Sequence, residues 1–91
     1  MYVLSAKLNF SISDAVSLKD KRQVRRSLIE KTRQRFNVSI AEVDAQDVHR
    51  TLVIGIAVVS SEMAHAQNSL DEIIRFMENN PYAELIELEI I

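Results

Sequence analysis

Residues Thr51 to Val59 read TLVIGIAVV, a stretch with no charge whose alternate positions are apolar on both sides. A strand of that kind is covered on each face, so it belongs in the middle of a sheet rather than at its edge. The run is far shorter than the roughly 20 apolar residues that cross a bilayer. Gly55, the only glycine in the chain, marks close packing against this strand.

On either side the apolar period changes. In Tyr2 to Phe10 the residues Tyr2, Leu4, Ala6, Leu8 and Phe10 alternate with Val3, Ser5, Lys7 and Asn9, the pattern of a half-buried strand. Glu84 to Ile91 alternates Ile86, Leu88 and Ile90 with Glu87 and Glu89, which predicts one buried face and one wet face. A further strand is predicted over Asn37 to Asp44 through Val38, Ile40 and Val43, with a bulge near Ala41 and Glu42 where the phase slips. Asp44 to Arg50 then forms the turn of a hairpin leading into TLVIGIAVV.

Two segments carry the helical period. Ser17 or Asp14 caps a helix from about Leu18 to Phe36, in which Val24, Leu28, Ile29, Thr32 and Phe36 share one side. Ser60 or Ser61 caps a second helix to about Asn79, with Met63, Ala66, Leu70, Ile73, Ile74 and Met77 as its core stripe. Asn79, Asn80 and Pro81, the only proline, end it. The order is βαββαβ. Two right-handed split βαβ halves of this order build an α+β ferredoxin-like sandwich: a four-stranded antiparallel sheet with both helices on one face.

Composition sets the outer bounds. The 91 residues are 47% apolar and 26% charged with no linker or low-complexity tract, so residues 1–91 are read as one domain. The absence of cysteine removes disulfides, thiolate zinc sites, iron–sulfur clusters and cysteine nucleophiles. MYVLSAKLNF has neither a basic leader nor a signal-length apolar core, and the chain is read as complete and cytoplasmic, with no membrane partner.

Candidate chemistry is sparse. His49 and His65 are the only histidines and have no helical pairing at four residues, so a metal site is not expected. Glu42, Asp44 and Asp47 could gather at the hairpin tip around a hard cation such as magnesium, but aspartates there are more simply turn formers. No phosphate-cradling glycine loop or nucleophile-elbow serine is present, so neither an enzyme nor a cofactor or small-molecule substrate is expected.

Charge is the informative feature. Residues 19–35 hold eight Lys or Arg against Asp20 and Glu30, a balance of 8 − 2 = +6 within a chain of net charge −2. Lys19, Arg22, Arg26 and Arg33 follow one another at spacings of three, four and seven, which puts them along one side of the first helix. Such a stripe suits a phosphate backbone; the competing reading is neutralisation by the acidic second helix and last strand. Arg25 falls within the apolar face and needs either a route to solvent or a partner. The central strand has no aromatic ring on which to stack bases. Its open face instead offers Val3, alternate residues of Val53 to Val59, Leu85 and Ile91 to a protein partner or a homodimer.

SLKDKR at Ser17 to Arg22, RFNVSIAEVD at Arg35 to Asp44, Gln46 with Asp47, and VVS at Val58 to Ser60 together resemble the YlxP-like family of bacterial domains of unknown function. The matching positions are Leu18, Lys19, Asp20, Lys21 and Arg22, then Phe36, Asn37, Val38, Glu42, Asp44 and Asp47. The resemblance implies a ferredoxin-like domain. It also implies a setting, because such domains are often encoded beside translation-initiation and ribosome-maturation genes and are sometimes labelled ribosome-binding factors. Joined to the basic stripe, it leads to the expectation of a non-enzymatic module contacting ribosomal or other structured RNA. The alternative expectation is a homo-oligomeric interaction domain working through its open sheet face.

Overall fold

The computed structural model describes all residues from Met1 to Ile91. The elements are β1 (Tyr2–Ser11), α1 (Leu18–Arg35), β2 (Ser39–Asp44), β3 (Thr51–Ser60), α2 (Met63–Glu78) and β4 (Glu84–Ile90). The strands form one antiparallel sheet in the order β2-β3-β1-β4, the ferredoxin-like arrangement expected from the sequence. β3 and β1 are central, paired from Tyr2 opposite Ser60 to Ser11 opposite Thr51.

Core packing follows the alternation. Ala6, Leu8, Phe10 and Ile12 from β1 and its exit, with Leu52, Ile54, Ile56 and Val58 from β3, meet Leu28 of α1 and Ala66, Leu70, Ile73 and Met77 of α2. Each fully buried aliphatic or aromatic side chain of this kind stabilises by about 1.5–3 kcal/mol. α2 packs on β3 and β1 while α1 packs on β2, so neither helix lies squarely over β4.

Local signals set the ends of α1. Ser17 is the N-cap, its hydroxyl accepting from the Asp20 backbone N–H at 3.2 Å, and Asp20 in turn accepts from the Val16 N–H at 3.0 Å. α2 begins at Met63 behind Glu62, which makes no side-chain cap; the Ser60 hydroxyl accepts from the Glu62 N–H at 3.1 Å instead. The β2 bulge falls at Val43, between Glu42 opposite Ile54 and Asp44 opposite Val53. Gly55 explains why it fits, since a Cβ there would lie 2.8 Å from Val43 Cγ1. No helix is long and apolar enough to cross a membrane.

Two expectations need correction. Leu88 and Ile90 stand opposite Leu8 and Ala6 and so point to the helix side, yet they are 43% and 61% exposed. The face is apolar at Leu88 and Ile90 but no helix covers it, and Ile86, expected with them, falls at a register shift and is exposed too. Leu85 also points to the helix side, opposite Phe10, and not to the open face.

Candidate nucleic-acid interface

The first turns of α1 face the β2–β3 hairpin, and one lysine joins them. Lys21 is 1% exposed, and its ammonium donates to the carbonyls of Ala45, Gln46 and Val48. Glu42 Oε2 lies 2.8 Å away in an ion pair with it. Glu42 Oε1 accepts from Arg25 at 3.0 Å, so one carboxylate serves two cations. The arrangement satisfies a charge that burial would otherwise make costly. It also fixes the hairpin tip, where Ala45 takes a left-handed φ of 53° and Asp44 Oδ1 accepts from the Ala45 N–H at 2.7 Å.

Arg25 therefore has the partner that its inward angle demanded. Lys21 is marked in the sequence only by the family resemblance, although two further signals point to its burial. It stands four residues before Arg25 and seven before buried Leu28, inside the apolar stripe, and Glu42 is two residues from buried Ile40 on a half-covered strand.

The stripe itself lies beside this anchor. Arg25 reaches Glu42 and Arg33 donates to the Ile40 carbonyl at 3.0 Å, both on β2, so that flank of α1 runs along the β2 edge of the sheet. Lys19, Arg22, Arg26 and Arg33 are all exposed on it. The ion pairs in the molecule are Lys7–Glu89, Lys21–Glu42 and Arg25–Glu42. None involves Lys19, Arg22 or Arg26, and none joins α1 to α2 or β4. The ion pairs that α1 does make, through Lys21 and Arg25, go to Glu42 of β2.

Glu42, Asp44 and Asp47 do not form a cation cage. Glu42 is drawn beneath α1, Asp44 bonds its own turn, and no three His, Asp or Glu side chains lie together in a metal-binding group. The open sheet face carries both apolar and polar groups. Val3 and Val59 are exposed opposite one another, but Val53 is buried, and Ser5, Gly55 and Ala57 floor a shallow trough of about 450 Å³. Lys7 pairs with Glu89 beside it at 3.4 Å.

Fold and surface together define a small ferredoxin-like domain with a basic helix flank. Residues 3–90 match the family model described as a protein of unknown function, DUF503, and the chain belongs to that family. It is also 37% identical over 73 residues to the uncharacterized protein YlxP of Bacillus subtilis (strain 168), covering 80% of this chain and 79% of the relative.

Proposed function

We propose that this domain is a non-enzymatic module that binds ribosomal or other structured RNA through α1, in ribosome assembly or translation. The observation that carries the reading is the state of Lys19, Arg22 and Arg26: exposed, aligned on one flank and free of any acidic partner. Cations held this way release counterions from a phosphate backbone without first breaking an internal ion pair. Arg33 extends the line while anchoring its far end to β2. The open sheet face supports self-association less well, because Ser5, Lys7, Asn9, Glu87 and Glu89 interrupt its exposed aliphatics Val3, Val59 and Ile91.

Refolded ribosomal RNA is the probe. Engagement of three or four phosphates gives a slope of log affinity against log salt of about −2 to −4, and the Arg22→Ala/Arg26→Ala variant flattens it by roughly one to two units. Unchanged binding by a folded double variant would contradict the proposal.

A further inference from the structure

The opposite edge of the sheet has a different chemistry, and it carries an inference independent of the RNA reading. β4 pairs only with β1, leaving its outer edge free. The Ile91 N–H bonds to the Ser5 carbonyl at 2.9 Å. Alternation along an antiparallel strand then directs the backbone groups of Glu89 and Glu87 inward and those of Leu88 and Ile90 outward. Side chains alternate too. Leu88 and Ile90 project on the helix side, whereas Glu87 and Glu89 stand on the open face opposite Asn9 and Lys7.

A seven-residue edge strand with one bare apolar face is a template for another strand. Its occupant is specified by charge: aliphatics on one face to cover Leu88 and Ile90, and cations on the other to meet Glu84, Glu87 and Glu89. The molecule already contains half of this contact, since Lys7 on the neighbouring strand reaches Glu89 at 3.4 Å. We propose that the outer edge of β4 accepts an extended segment of alternating basic and aliphatic residues from a partner protein as a fifth strand.

The probe is an acetylated, amidated peptide, Lys-Ile-Lys-Val-Lys-Ile-Lys, with Glu-Ile-Glu-Val-Glu-Ile-Glu as its charge-reversed control. The Lys peptide slows amide exchange at Leu88 and Ile90 while leaving Glu87 and Glu89 unchanged, because those two are already bonded to β1. The Glu84→Lys/Glu87→Lys variant, which leaves the Lys7–Glu89 pair intact, weakens the Lys peptide roughly tenfold or more and favours the Glu peptide. Circular dichroism establishes that the variant is folded; should it not be, alternate N-methylation of the Lys peptide gives a second test by abolishing binding to the native chain. Equal binding of both peptides, no protection of Leu88 and Ile90 at millimolar peptide, or protection of those amides by a second copy before any peptide is added would each overturn the proposal.

Discussion

The two edges of the sheet, β2 and β4, solve the same problem in opposite ways. β2 is short, bulged at Val43, overlain by α1 and capped at the Ile40 carbonyl by Arg33, and its inward carboxylate, Glu42, is held by two cations. β4 has a bulge near Ile86 but no helix above it, and Ile86, Leu88 and Ile90 face solvent. Natural sheets blunt their edges with charge, bulges and covering elements. Here one edge receives all of these, and the other keeps an apolar face. Charge separates along the same axis, with an unpaired basic flank beside β2 and glutamates along β4, so the asymmetry visible in the sequence becomes a polarity of the folded surface.

Removing the lock on the β2 side has the largest expected effect. Lys21→Met leaves three hairpin carbonyls without their donor and Glu42 with only Arg25, and it lowers stability by about 3–5 kcal/mol in urea unfolding. A loss under 1 kcal/mol would mean that the buried charge is replaceable and that β2 is no better secured than β4. At the bulge the expected effect is smaller. Gly55→Ala forces Val43 aside and costs about 1 kcal/mol, whereas in a Val43→Ala background the same change is neutral or stabilising, because alanine lowers unfolded-chain entropy. A penalty that persists without the valine would show that Gly55 is needed for some reason other than the bulge. The exposed stripe has the least effect on stability, with Arg22→Ala/Arg26→Ala expected within about 0.5 kcal/mol of the native chain.

The positions of the strands and the phase of the helices are readable in the sequence because both depend on periods of two and of 3.6, and the strand order then follows from the handedness of the βαβ connections. It located the basic stripe as well, since Lys19, Arg22, Arg26 and Arg33 needed only helical spacing to be placed on one flank. Two features escaped it for a shared reason. Alternation in β4 shows that Leu88 and Ile90 share a face but not whether another element covers that face, which depends on where two helices settle over four strands. In α1, Lys21 shared the phase of the core, but its charge suggested solvent until Glu42 and the hairpin carbonyls supplied an interior partner. Several residues that carry the family resemblance prove to hold the architecture: Asp20 ties the first turn of α1 to the chain before it, Lys21 and Glu42 pair beneath the helix, and Asp44 shapes the turn. Family membership therefore explains the fold more directly than it explains any function.

On the proposal above, the α1 flank, beside the secured edge, is the surface that meets RNA. Titration of isotope-labelled protein with refolded ribosomal RNA, followed by amide and arginine side-chain resonances, tests it residue by residue. The predicted result is saturable shifts at Lys19, Arg22 and Arg26 that diminish as salt rises, with β4 and the Val3–Val59 end of the open face unmoved. Shifts confined to the sheet, or none at RNA concentrations that saturate other basic domains, would contradict it.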